Sequence, residues 1–353
     1  MTLTRASEAT SPTAPEAAPV LCVEAAVTSV TQLCPSFRRI TLAGPELAGL
    51  SSTLIGDGDR TRCRDAYIKL LVPPPGRAPE RADLSVSLRE GWFARPAEER
   101  GWMRTYTVRG VRRTTFCGML VPEIVIDVVV HGGSGQDGPG SRWAAGAAPG
   151  ERVYLLGPGP LERPWGAWDH GGATQALAVG DETAAPALMS IAEEFAETPH
   201  EPSADGARPR LDVVLEVPHA DDLPAHRLPA DLPDVRLHVL PRAGRGAPAG
   251  HGHRAAMRLA RLLELPGGAV DDVLAGRRPK RGRATSALAV AEGADEPRAW
   301  TVARPDRPDA PYVFLAGESG TVRALRRLCV DAAGIPKDHV SFMGYWRQGQ
   351  AES

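Results

Sequence analysis

The chain has 353 residues, with 41 basic against 43 acidic side chains and a formal net charge of −2. That length suits two domains, and 42% hydrophobic with 24% charged residues is the composition of an ordinary globular protein. The even charge argues against a dedicated nucleic-acid binder, and no apolar run approaches the roughly 20 residues that a membrane helix needs.

Residues 1–19 are rich in Ala, Pro, Ser and Thr and lack an apolar h-region, which predicts a solvated tail rather than a secretory signal. Cys22, Cys34, Cys63, Cys117 and Cys329 are scattered without a C-x-x-C pair, so neither a disulfide framework nor a metal site is expected. A reducing cytoplasm is the expected location. From residue 20 to 160 the pattern is of short strands: Leu21–Val30, Phe37–Leu42, Ala66–Val72, Arg104–Val111, Glu123–Val130 and Arg152–Leu156. With no convincing helix between them they predict an antiparallel barrel, and the charged, proline-bearing stretch Pro73–Arg100 reads as a surface excursion.

After a Gly/Pro/Trp-rich linker at 161–174 the grammar changes. Strand-like runs at Gln175–Val179, Leu211–Val217, Val235–Leu240, Tyr312–Ala316 and His339–Met343 alternate with helical patterns at Thr183–Ala196, His253–Leu265 and Val322–Ala332. Alternating strand and helix predict a mostly parallel sheet wrapped by helices over residues 175–353. The Gly-, Ala- and charge-rich stretch 267–297, with its basic run Arg277–Arg281, reads as a mobile insertion.

Three segments could carry chemistry. On the strand containing Arg104–Arg109, alternation places Arg104, Tyr106 and Val108 on one face and Thr105, Thr107 and Arg109 on the other. A flat ring, hydroxyls and fixed cations of this kind suit a planar, phosphorylated cofactor. Next, His131-Gly132 opens a glycine-dense loop that leads into Ser141-Arg142-Trp143, where a helix start would favour an anion. The literal G-x-G-x-x-G at Gly133, Gly135 and Gly138 is not a dinucleotide fingerprint, because no βαβ unit surrounds it. Third, Gly180-Asp181-Glu182-Thr183 ends a buried strand, with Thr183 expected to cap the following helix, and Gly317-Glu318-Ser319 repeats the geometry. His251-Gly-His253, in a Pro/Gly loop, is expected to be exposed and idle.

Six motifs, in order, carry a resemblance: RTYTVR at 104–109, DVVVHG at 127–132, SRWA at 141–144, GDETAAPA at 180–187, AGESGTVRALRR at 316–327 and GYWRQG at 344–349. Over residues 20–349 the chain resembles the siderophore-interacting proteins, flavin-dependent ferric-siderophore reductases related to ferredoxin–NADP reductases. The resemblance implies an FAD-binding β-barrel followed by an α/β domain for NADPH or NADH, in a monomer or weak dimer, with ferredoxin as another possible donor. Arg104, Tyr106, Thr107 and Val108 match the flavin motif, Asp127, His131 and Gly132 the segment after the ring, and Ser141, Arg142 and Trp143 the turn beside the pyrophosphate. Asp181 and Thr183 match the part of the second domain that closes on the cofactor. Lys69, Arg142 and Arg347 align with a basic set that faces an anionic ferric siderophore. Arg242 and Arg245 stand where a related reductase could hold a 2′-phosphate, or else in a solvated loop. A flavin reductase for another acceptor and a non-catalytic siderophore-binding module are the alternatives.

Overall fold

A computed structural model describes residues 18–56, 63–130, 138–200, 202, 206–225, 232, 234–243, 249–277, 300–307 and 309–349. The N-terminal unit contains β1 (Val20–Cys34), β2 (Phe37–Ala43), α1 (Ser52–Ile55), β3 (Tyr67–Val72), α2 (Ala97–Arg100), β4 (Trp102–Thr107), β5 (Gly110–Phe116), β6 (Met119–Val129), α3 (Pro139–Gly146) and β7 (Arg152–Pro158). Its seven strands form one antiparallel sheet in the order β4-β3-β7-β1-β2-β6-β5. The two edge strands, β4 and β5, are consecutive in sequence and separated only by Val108 and Arg109, so the sheet has to curl until its edges meet. Backbone bonds from Val108 to Ala66 (2.7 Å) and from Arg109 to Val125 (2.8 Å) fasten that corner. Inside lie Ile40, Leu42, Ile68, Leu70, Ile124, Ile126 and Leu155, all fully buried, and α3 packs Trp143 and Ala144 into the same core.

One expectation needs correction here. The run Arg104–Val111 is two strands, because Val108 turns into the core and Arg109 bonds back to β6. The stretch Pro73–Arg100 runs over the surface as expected, with Ala82 and Trp92 buried against Leu71, Tyr154 and Leu156 on the barrel's outer face. Burying that apolar area holds a segment with little regular structure in place.

The C-terminal unit contains β8 (Gln175–Gly180), α4 (Ala185–Glu197), β9 (Arg210–His219), β10 (Val235–Ala243), α5 (His253–Leu262), α6 (Gly268–Leu274), β11 (Trp300–Thr301), β12 (Tyr312–Glu318), α7 (Ser319–Arg327) and β13 (Val340–Trp346). The sheet order is β10-β9-β8-β12-β13-β11, parallel throughout except for β11. Successive strand residues alternate between two cores: Ala176, Ala178, Val213, Leu215 and Phe314 face α4, while Leu177, Val179, Val214, Val313 and Leu315 face α5, α6 and α7. Strands covered on both faces read as continuous apolar runs, which is why they were legible. Within the expected insertion 267–297, Ala269, Val270 and Val273 are buried on α6, so its first turns belong to the core. Residues 278–297, like the tail 1–17, lie outside the described residues.

The linker locks the two units together. Asp65 accepts from the backbone N–H of Ala167 (2.5 Å) and Trp168 (3.1 Å), and Trp168 stands edge-on to Tyr312 at 5.1 Å. Arg109 donates to both oxygens of Glu193 on α4 at 2.8 and 2.6 Å. Asp222 gathers Ser36 N–H (3.1 Å), Ser36 Oγ (3.0 Å) and Cys34 Sγ (3.2 Å) from the barrel.

Candidate functional site

The barrel's β3–β4 pair sets the first half of the site. In register, Lys69 faces Thr105, Tyr67 faces Thr107 and Ile68 faces Tyr106. Thr105, Thr107, Tyr67 and Lys69 therefore share one face, and Lys69 Nζ donates to Thr105 Oγ1 at 3.1 Å. Arg104 and Tyr106 share the other, where Tyr106 packs against the barrel core and burial pushes its phenol pKa up, Arg104 opposing.

Helix α3 meets that second face closely. A Cβ on Gly140 would stand 2.4 Å from the Tyr106 hydroxyl and 3.3 Å from Arg104 Cγ, so only glycine admits this approach. The helix begins at Gly138 and Pro139 with no capping side chain, and Arg38 closes its other end by donating to Ala144 O (2.9 Å) and Ala145 O (2.6 Å). The positive end of α3 and Arg104 thus converge beside Tyr106, an arrangement that favours an anion next to a flat ring.

The remaining predicted residues divide. Arg142 is exposed on α3, next to Ser141, whereas Trp143 is buried in the barrel core with its Nε1 donating to Glu151 (2.9 Å). Val108 is fully buried and can offer only backbone. Asp127 faces Arg39 across β2–β6 and accepts from its Nε at 2.7 Å and its Nη2 at 2.8 Å, a bidentate cross-strand ion pair. Thr107 is buried and shares a hydrogen bond with Tyr345, which brings the end of β13, and with it exposed Arg347, to the barrel. His131, Gly132 and Arg245 lie outside the described residues.

At the second unit the sheet order reverses between β8 and β12, and the crevice outside their carboxyl ends is where such sheets receive ligands. It holds a network that the sequence reading missed. Asp181, not Thr183, is the capping residue: its Oδ1 accepts from Thr183 N (2.9 Å) and Oγ1 (2.5 Å), and its Oδ2 from Glu318 N (2.7 Å) and Trp346 Nε1 (3.0 Å). Gly317, at φ +138°, makes room, since a Cβ there would stand 2.5 Å from Asp181 Oδ2. Burial, then Glu182, push the Asp181 pKa up, while His251, Thr183 and Trp346 pull it back.

Arg242 is on β10 itself, not in a following loop, and grips Glu182 through two bonds of 2.7 and 2.8 Å with Glu216 at 3.5 Å. Glu216 accepts from Gly252 N (2.7 Å) and Ala255 N (3.0 Å), capping α5. His251 is also not idle: it lies edge-on to Trp346 at 5.3 Å, 3.5 Å from Asp181, and bonds Thr321 at 3.2 Å. Asp181, Glu182 and His251 bring ligand-type atoms within 4.8 Å of one another, but the two carboxylates are already taken up by Trp346, Glu318, Thr183 and Arg242. A sequence signal existed: Asp212 and Glu216 interrupt an otherwise apolar buried strand, and such carboxylates need partners.

Comparison with known proteins agrees with this architecture. The profile of the siderophore-interacting FAD-binding domain matches residues 26–161, and that of the siderophore-interacting proteins matches residues 173–349. An uncharacterized protein of Mycobacterium tuberculosis is 33% identical over 171 residues, 47% of this chain and 51% of the relative, so the chain spans about half the length of that relative. The ferric vibriobactin reductase ViuB of Vibrio cholerae is 26% identical over 317 residues, covering 89% of this chain and 85% of that protein. Among solved structures, the siderophore-interacting protein SipS from Aeromonas hydrophila aligns at 25% identity and TM-score 0.52 over 93% of this chain and 92% of that one. A siderophore utilization protein from T. fusca, at 22% identity and TM-score 0.57 over 96% and 97%, shares the fold. The chain belongs to the siderophore-interacting protein family.

Proposed function

We propose that the protein is a flavin-dependent reductase that frees iron from ferric siderophores in the cytoplasm, with electrons from NADPH, NADH or reduced ferredoxin. The observation that carries this reading is the Gly140 contact, which sets the start of α3 against Arg104 and Tyr106. That cradle fits FAD: Arg104 and the first turn of α3 would hold the pyrophosphate, with Tyr106 beside the ring and Thr107 at its edge. FAD, when bound, supplies the exchange between two-electron donors and a one-electron acceptor.

The chain's own part is binding, orientation and charge. Thr107, tied to Tyr345, holds the barrel strand and the end of β13 in one arrangement. Lys69, Arg142 and Arg347 would draw in an anionic chelate by their charge. Hard, anionic oxygen donors hold Fe(III) far better than Fe(II), so one electron is enough to loosen the metal, and no side chain need deliver a proton. A nicotinamide would dock at the carboxyl edge between β8 and β12. There Arg242 is already paired with Glu182, so a 2′-phosphate would have to compete with that pair. The test is anaerobic: reduced, FAD-loaded protein is mixed with ferric hydroxamate and catecholate complexes beside an Fe(II)-trapping dye. Trapped Fe(II) appearing as the yellow returns is the expected result; ferric complexes that bind without recolouring the protein would indicate a carrier instead.

A further inference from the structure

The β5–β6 hairpin runs clear of the barrel at its far end. Val111 and Ile124, opposite one another near its base, are buried in the core, whereas Thr115, Cys117, Gly118, Met119 and Leu120 at its tip are exposed. Met119 is 50% and Leu120 66% accessible, and Phe116, opposite Met119, is half-buried. Five consecutive residues, Phe116-Cys117-Gly118-Met119-Leu120, therefore carry no charged, hydroxyl or amide group at the turn, a run that a water-facing surface ordinarily avoids. Cys117 and Gly118 stand at φ +49° and +78°, in a two-residue turn that Asn-Gly or Asp-Gly ordinarily fills. Here a thiol takes the place of the amide or carboxylate. Behind the tip the exposed charge is positive. No acidic residue occurs from Arg113 to Pro122. Arg112 is exposed and pairs with the buried Glu123, and Arg113 is exposed with no carboxylate partner among the described residues.

We propose that this tip docks the protein on an anionic lipid surface, with Phe116, Met119 and Leu120 entering the boundary between headgroups and acyl chains and Arg113 meeting the lipid phosphates. Spacing, shape and charge select a bilayer over another partner. The three residues of strand from Arg113 to Phe116 span about 10 Å, the depth to which interfacial apolar side chains sink below the headgroups. A protruding turn is convex, and a fluid interface admits it without a matching groove. Cations behind an apolar tip complement anionic headgroups, whereas two copies meeting tip to tip would bring their Arg113 side chains together. The attachment is weak and reversible, since even one acyl chain gives only marginal membrane binding. Neither FAD nor the reductase reading enters this argument.

The test uses the full-length, FAD-loaded chain labelled at Cys117 with bimane; among the described residues this is the cysteine that is exposed, Cys22 being half-buried and Cys34, Cys63 and Cys329 buried. Vesicles of phosphatidylcholine alone, or of equimolar phosphatidylcholine and phosphatidylglycerol, are titrated in while bimane emission and co-sedimentation are followed. The mixed vesicles are expected to sediment the protein and shift the label saturably to the blue, less so as salt is raised, and phosphatidylcholine alone to do little. In the double variant Met119→Ser, Leu120→Ser partition is expected to fall about tenfold, as for two apolar side chains left in water. In Arg113→Glu it is expected to fall about fivefold or more, as for losing a cation at an anionic surface. Urea midpoints identify any folding defect; should the serine variant fail to fold, Arg113→Glu, which leaves the apolar groups in place, decides alone. Sedimentation with the label still in water, no preference for the anionic vesicles, or a dimer in light scattering that the serine variant dissolves would each overturn the proposal.

Discussion

At the barrel, the groups gathered around β4 are cations and hydroxyls: Lys69 beside Thr105, and Arg104 beside Tyr106 and the positive end of α3. At the carboxyl edge of the parallel sheet the groups are carboxylates, and the chain itself supplies their partners. Asp181, Glu182 and Glu216 are all buried and are answered by backbone N–H groups, Trp346 and Arg242. The first region gathers positive charge, which suits the anion proposed for it, whereas the second uses its charge to hold α5, β12 and β13 together. Residues of similar type therefore play different roles. The arginine at 242, whose position after an apolar strand reads like a ligand contact, is engaged by Glu182 through two bonds.

The contrast can be broken by substitution. The largest effect is expected from Glu216→Ala, which strips two bonds from the start of α5 and leaves Arg242 short of a partner. A loss of about 3–5 kcal/mol is the scale for breaking a buried charged contact, read as a lowered midpoint in urea unfolding. Asp181→Asn follows, since an amide cannot accept from donors on both sides. About 2–3 kcal/mol of stability is expected to go, with Trp346 fluorescence changing before global unfolding. Both variants, once folded, are expected to keep their FAD.

Barrel changes are expected to do the reverse. Gly140→Ala drives a methyl group into the Tyr106 hydroxyl and is expected to weaken FAD binding about tenfold or more, at a cost comparable to overpacking a core. Gly138→Ala, where a Cβ meets nothing within 4 Å, is the control and is expected to leave FAD affinity unchanged. Smallest is Lys69→Ala: a few-fold rise in the apparent Kd for an anionic ferric chelate and a flatter salt dependence, with FAD content intact. A loss of FAD in that variant would contradict the place given to Lys69.

Glu318 adds a pH signature. Burial alone would raise its pKa, but the N–H groups of Gly320, Thr321 and Gln348 outweigh it and hold the carboxyl below its ordinary range. A depressed folded pKa means that the stabilisation is present above the unfolded value and is lost as pH falls through the folded one, below about pH 4. Glu318→Gln is expected to flatten the acid limb of a stability–pH curve.

What the sequence made legible follows the same division. Strands buried on one or both faces announced themselves as β-branched or alternating runs, and the strand proposed to hold the cofactor stood out because Arg104, Tyr106 and Thr107 are local in sequence. The carboxyl-edge network did not, because positions 181, 216, 242, 251, 318 and 346 meet only through tertiary structure. Local pattern also hid the corner at Val108–Arg109, where a continuous strand-like run bends because Val108 prefers the core. Helix α6 was hidden in the same way: its three buried apolar residues are too few to stand out among glycine and aspartate.

The most direct test of the account is whether the barrel holds FAD. The purified chain is reconstituted with FAD, passed through a desalting column and examined for flavin absorbance in the blue, beside Gly140→Ala and Gly138→Ala. The account predicts a yellow wild type and Gly138→Ala and a largely colourless Gly140→Ala. A colourless wild type, or a Gly140→Ala protein as yellow as its parent, would contradict it.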